Sequence, residues 1–169
     1  NINDWDKSEY GSVIAISFGA GITDNTQAAI ILNSFSTIDG INFWYPNQSG
    51  STKTPVSYPP TIALNSEGAP DEAHGLINQP TIKNCVLINP YTAIDMTVGH
   101  GKLTLEKITF TAWYQGIIIN KSFDIDRLVD IHSNPNVMYK GLWPAYNVVS
   151  YHISNAMTKG IKLSRADQL

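Results

Sequence analysis

The feature that most constrains this chain is an apolar spacing that keeps returning. An apolar residue is followed by a second three positions later and a third two after that. The pattern reads Ile38, Ile41, Phe43; then Ile82, Cys85, Leu87; then Leu105, Ile108, Phe110; then Val148, Tyr151, Ile153. A related piece starts at Ile125 and Leu128. The first positions, 38, 82, 105, 125 and 148, are separated by 44, 23, 20 and 23, and 44 reads as twice 22. A period near 22 lies within the roughly 20–45 residues of solenoid repeats. In such repeats no unit buries its own apolar face, and stacking creates one continuous core.

A second strand sits inside several repeats. Ile94-Asp95-Met96, Ile117-Ile118-Ile119 and Ile161-Lys162-Leu163 alternate with the period of a strand, each twelve or thirteen residues after its repeat begins. Asn89 and Asn155 fall between the strands, where a turn suits asparagine. Helical spacing is faint and confined to Thr26–Leu32. Short strands, turns and a fixed period predict an all-β chain folded as a parallel β-helix with coils of about 22 residues. The coils fall roughly at 11–60, 61–80, 81–103, 104–122, 123–147 and 148–169 of a single domain. The competing architecture is an antiparallel sandwich, which also spaces short strands regularly but does not repeat register at 22.

Two segments break the rhythm and read as surface loops: Pro46 to Pro60, and Asn134 to Pro144. Loops that leave a solenoid tend to emerge on one face, often the binding face. The last repeat ends at Leu163, close to Leu169, and no polar cap follows; a partial chain of a longer β-helix is expected.

Composition excludes several alternatives. Hydrophobic residues make up 43% and charged residues only 15%, the reverse of a disordered chain. No apolar run approaches the ~20 residues of a membrane-spanning helix. A net charge of −3 argues against nucleic acid as a partner. Cys85 is alone, so it forms no internal disulfide, and its apolar surroundings make it a small core residue. Two Asn-x-Ser sites, at Asn47 and Asn120, matter only in a secreting eukaryote.

Three stretches carry a likeness to a known group. They are Gly40-Ile41-Asn42-Phe43-Trp44-Tyr45-Pro46-Asn47-Gln48 with Pro59-Pro60-Thr61-Ile62; Phe123-Asp124-Ile125-Asp126-Arg127-Leu128 with Ile131-His132 and Asn134-Pro135; and Gly160 to Asp167. Over about residues 11–167 the chain resembles the pectate-lyase-like superfamily of right-handed parallel β-helix proteins. Its nearest likeness there is a bacterial and phage group related to polygalacturonases. The resemblance implies a polysaccharide as partner, and an extracellular, cell-surface or virion location. It implies a glycoside hydrolase or polysaccharide lyase, or else a non-catalytic carbohydrate-binding or structural β-helix such as a tailspike or adhesin. No cofactor is implied for a hydrolase, whereas a lyase would use a calcium ion; a homotrimer is the expected assembly of a tailspike.

Hydrolysis needs two carboxyl groups flanking the bond, and a lyase needs a base with a cation on the substrate carboxylate. Asp95 is expected to face outward between inward Ile94 and Met96, in one column with Ile118 and Lys162. Asp124, Asp126, Arg127, Asp130 and His132 form the densest ionisable cluster. Asp95, Asp126, Arg127 and His132 are therefore the catalytic candidates, against the plainer readings of a solvated surface and a structural ion network. Gly99-His100-Gly101 resembles a polygalacturonase motif, but the companion motifs of that family are missing, so a turn is the expected role. Asp71-Glu72-Ala73-His74 looks like a metal cluster but follows Gly68-Ala69-Pro70 and reads as a loop; no metal ligand is assigned. Trp44 is expected to face outward beside inward Phe43. With Trp113 and Tyr114 in a turn, and Lys162, it is a candidate for holding sugar, since flat rings with polar edges suit that task.

Overall fold

The computed structural model describes residues 11–48, 55–66, 77–133, 159–164 and 166–168. Fifteen strands follow one another there: β1 (Ser12–Ala15), β2 (Ile30–Leu32), β3 (Thr37–Asp39), β4 (Ile41–Trp44), β5 (Ile62–Leu64), β6 (Ile77–Asn78), β7 (Thr81–Ile88), β8 (Thr92–Met96), β9 (His100–Gly101), β10 (Thr104–Thr111), β11 (Gln115–Ile119), β12 (Ser122–Ile125), β13 (Arg127–Ser133), β14 (Lys159–Leu163) and β15 (Ala166–Gln168). Among the described residues the only helical element is a 3-10 turn, Asn25–Gln27, so the faint helical spacing over Thr26–Leu32 resolves into that turn followed by β2. Among the described residues no helix is long and apolar enough to cross a membrane.

Every described pairing is parallel, which an antiparallel sandwich does not allow. The strands form three sheets. Sheet A holds β1, β4 (with β3), β7, β10 and β13; sheet B holds β2, β5, β8, β11 and β14; sheet C holds β6, β9, β12 and β15. From β4 onward the chain visits A, B and C in rotation, and each strand pairs with the one three further along.

The registers turn the sequence repeat into ladders. In sheet B, Ile30, Ile62, Ile94, Ile117 and Ile161 stand side by side, followed two residues on by Leu32, Leu64, Met96, Ile119 and Leu163. Ile62, Ile94, Met96, Ile117 and Ile119 are fully buried. Each such side chain contributes about 1.5–3 kcal/mol through burial. At the last described sheet B strand the ladder is half exposed, Ile161 and Leu163 at 46%.

Sheet A explains the three-then-two spacing. Ile38, Ile82, Leu105 and Leu128 align, and so do Cys85, Ile108 and Ile131 three residues later. Strict alternation would set residues three apart on opposite faces. A left-handed residue between them restores the face: Gly40 (φ 71°), Asn84 (53°), Lys107 (52°) and Asp130 (58°). These four occupy one register position, at separations of 44, 23 and 23.

Two expectations are corrected here. The repeat after Leu105 begins at Leu128, not Ile125; Ile125 ends β12 in sheet C and is 59% exposed. The interval of 44 is not two periods. Ile38 pairs directly with Ile82, so a single step along the stack absorbs 44 residues by lengthening its connections, 45–61 and 65–76. The Val148–Ile153 repeat lies outside the described residues.

Core packing also carries a size trade between neighbouring strands. A Cβ on Gly116 would collide with Phe110 Cε2 and with the Gly160 carbonyl oxygen. One strand earlier the register neighbours are Leu87 and Ala93. The larger ring of Phe110 thus takes the space that a methyl occupies beside Leu87.

Two measurements check this account by chemical denaturation. Gly116→Ala is expected to cost about 1–3 kcal/mol by overpacking, with part of the loss returned by Phe110→Leu in the double variant. Lys107→Ile is expected to lose about 1–2 kcal/mol, because a β-branched residue is strained at positive φ. Strand propensity alone predicts the opposite sign for that substitution, so a raised midpoint would overturn the left-handed assignment.

Candidate functional site

The connections from sheet A to sheet B differ greatly in length. Those between β1 and β2 (16–29), between β4 and β5 (45–61) and between β13 and β14 (134–158) are long; those at 89–91 and 112–114 have three residues each. Residues 134–158 and 49–54 lie outside the described residues. A corner that accepts insertions while the sheets stay in register is where a scaffold of this kind can carry function.

The two described long connections pack together. Gly21 N–H donates to the Ser57 carbonyl at 2.8 Å. A Cβ on Gly19 would stand 2.9 Å from Pro59 Cδ, so the chain at Gly19 lies directly on that ring. The 45–61 connection is closed at its base by Gln48, whose amide donates to the Val56 carbonyl (2.7 Å) and accepts from Val56 N–H (3.1 Å). Gln48 is buried, and one side chain here does the work of two ladder bonds. Tyr45 meets Tyr58 edge-on at 5.1 Å and shares a 2.9 Å hydrogen bond with Thr61. Burial pushes the Tyr45 hydroxyl up to about 12, so it remains neutral.

The two short connections carry stacked rings. Tyr91 and Tyr114 lie 5.0 Å apart with planes 14° from parallel. Each stands three residues ahead of a core ladder residue, Ile94 or Ile117, and Pro59 stands three ahead of Ile62. Pro59, Tyr91 and Tyr114 therefore follow one another along the stack. Tyr114 is 41% exposed and Tyr91 is half-buried. At the same corner Trp44 Nε1, Tyr58 Oη and Asn89 Oδ1 are buried without a hydrogen-bond partner. Each such group costs about 1–3 kcal/mol, and costs of this kind concentrate where function requires them.

The residues singled out from sequence do not converge. Asp95 does face outward, half-buried, in register with Ala63 and Ile118, and Ile118 with Lys162, as the column predicted. Its carboxylate accepts from Thr97 N–H at 3.0 Å. Lys162 is exposed at the far end of that column. Arg127 and His132 are exposed on β13 in sheet A, and His132 pairs with Asp130. Asp126 is buried. Trp113 sits in a turn as expected but is 4% exposed, and Tyr114 alone of the four sugar-binding candidates offers an exposed ring. Trp44, expected outward, is 8% exposed. It is the last residue of β4, and its register neighbour Ile88 is buried too, as is Thr111 one strand beyond: alternation lapses where these strands end and the chain turns toward sheet B. Asp71 to His74 lie outside the described residues. Among those described, no three His, Cys, Asp or Glu side chains gather closely enough to hold a metal ion. Cys85 is buried, and burial pushes its thiol up, which keeps it protonated and inert.

Asp126 finds its partner in His100, whose flanking glycines suggest only a turn. Both side chains are fully buried. His100 donates from Nδ1 to the Val98 carbonyl (2.8 Å) and shares a hydrogen bond between Nε2 and Asp126 Oδ2 (3.2 Å), while Asp126 Oδ1 accepts from Leu103 N–H (3.1 Å). The Val98 carbonyl can only accept, which fixes a proton on Nδ1 and leaves Nε2 to Asp126. The pair ties sheet C to the start of two sheet A strands. It lies out of reach of any polymer substrate, which removes Asp126 from surface chemistry.

No family model, curated protein or solved structure matches this chain.

Asp126→Ala is expected to cost about 3–5 kcal/mol, since it strands a buried imidazole and the Leu103 amide. Asp126→Asn should cost far less: its oxygen still accepts from Leu103, and its NH2 can donate to the Nε2 of a neutral ring. Equal losses in thermal melts of the two variants would overturn this description of the pair.

Proposed function

We propose that the chain is a right-handed parallel β-helix of the pectate-lyase-like kind and that it binds polysaccharide at the corner between sheets A and B. The rotation of the chain through three parallel sheets, with each strand pairing three strands on, is consistent with that architecture. The observation that carries the binding reading is the Tyr91–Tyr114 stack on short turns, set beside two long connections locked to each other. Tyr114 offers a flat apolar surface with a hydroxyl at its edge, the combination that suits a pyranose ring. An extracellular, cell-surface or virion setting accords with such a ligand.

A second reading, a glycoside hydrolase or polysaccharide lyase, draws on one observation. His132 and Asp130 pair on the exposed face of sheet A, with Arg127 on the same strand and Glu106 on the next. Binding is preferred because the expected catalytic side chains are dispersed, with Asp95 in sheet B, Asp126 buried, and Arg127 and His132 in sheet A.

The test is retention of the chain on immobilised polysaccharides, with reducing ends and the ultraviolet absorbance of unsaturated uronates followed in parallel. Binding that falls about tenfold in Tyr114→Ala, without new reducing ends, is the expected result. Depolymerisation abolished by His132→Ala would replace this reading with the enzymatic one.

A further inference from the structure

On the reading that this corner takes a glycan, we infer that the ligand is an uncharged polysaccharide, lying along the stack from Phe18 to Tyr114. The chemistry of the corner is the first ground. The described residues of its connections, 16–29, 45–48, 55–61, 89–91 and 112–114, include a single charged side chain, Asp24, and no lysine or arginine. Asp24 is occupied locally, accepting from Thr26 N–H at 2.9 Å. Uronate or sulfated sugars are held by arginine, lysine or a bound cation. The described residues of this corner supply none of these; Lys53 and Lys140, in the long connections 45–61 and 134–158, lie outside the described residues. The described residues supply aromatic surface together with neutral hydrogen-bonding groups, Asn47 and Ser57 among them.

Continuity is the second ground. Gly19 lies on Pro59, and Pro59, Tyr91 and Tyr114 hold equivalent places ahead of successive ladder isoleucines. Phe18, next to Gly19, is 58% exposed, and Tyr114 at the other end is 41% exposed. The two rings are thus separated by about three strand spacings, roughly 14 Å, which makes the site long enough for several sugar units. Tyr91 and Tyr114 turn one face toward each other, and the exposed surfaces of Tyr114 and Phe18 are the two platforms.

The experiment uses the full chain against soluble neutral polysaccharides (a β-glucan, a galactomannan, a dextran) and against polygalacturonate and alginate, at low and high salt. The expected result is binding to one or more neutral polymers that salt does not weaken. Tyr114→Ala should lower that affinity about tenfold and Phe18→Ala several-fold, since each removes one aromatic platform. Ile125→Ala, an equally exposed apolar residue in sheet C, should change nothing. All three positions are exposed, and thermal melts confirm that the variants fold. Binding confined to the uronate polymers and weakened by salt would overturn the inference; if Tyr114→Ala still reduced it, glycan binding at this corner would stand. Neutral binding indifferent to Phe18→Ala would overturn the extended placement. Binding indifferent to Tyr114→Ala, or absent on every polymer, would overturn both the inference and the reading beneath it.

Discussion

A left-handed residue repeated at one height across sheet A is the constraint on which the rest of this structure depends. A parallel ladder tolerates a kink only if the neighbouring strand kinks at the same height; otherwise hydrogen bonds on both sides are lost. Gly40, Asn84, Lys107 and Asp130 meet that condition. A second set does the same where the chain approaches sheet A. Phe35, Gln79 and Lys102 all have positive φ, at separations of 44 and 23, matching the first set. Only one of these seven residues is glycine. Each of the others carries a conformational cost of about 1–2 kcal/mol, which the stacked registers on either side offset. Asn84 is helped further by the bond from its amide to Asp39 at 2.7 Å.

Because the kinks must align, the strands cannot change length, and variation is pushed into the connections. The same step along the stack takes 44 residues between Ile38 and Ile82 and 23 between Ile82 and Leu105. The additional residues enter between sheets A and B and between sheets B and C. Side-chain volume is constrained in the same way inside the stack, where the pairing of Phe110 with Gly116 stands beside that of Leu87 with the register neighbour Ala93. Packing is therefore settled between adjacent strands, one step at a time.

This explains which features were legible in the sequence. The three-then-two spacing carried the sheet A strands because it is the direct trace of the kink. Alternation carried Asp95, Ile118 and Lys162 into one outward column. Failure came where the period was assumed constant, since insertions make 44 look like two turns, and at the end of a strand, where Trp44 is covered although its parity says otherwise. The contact of His100 with Asp126 left no trace, because 26 residues is neither a helical nor a strand spacing and the pair meets across neighbouring strands. The tyrosine stack did leave one: Tyr91 and Tyr114 are 23 residues apart, the period of the strands around them. A periodicity search limited to apolar core residues passes over a surface ladder with the same spacing.

The distribution of charge follows from the same division between fixed sheets and free connections. Charged side chains gather on strands and at the sheet C connections, where opposite signs meet: Asp39 with its register partner Lys83 at 3.3 Å, and Lys102 with Asp124 at 3.7 Å. Exposed pairs of this sort add little stability. Their effect is to cover the sheet faces with hydrated groups and to limit association between apolar surfaces. The corner between sheets A and B does not follow that pattern. It exposes aromatic rings, buries polar atoms without partners and is almost free of charge over its described length. Neither stacking nor solubility calls for such a surface, and each of its features costs the protein something. A surface that is expensive on both counts, at the one corner where chain length varies most, is where recognition by this fold is to be sought.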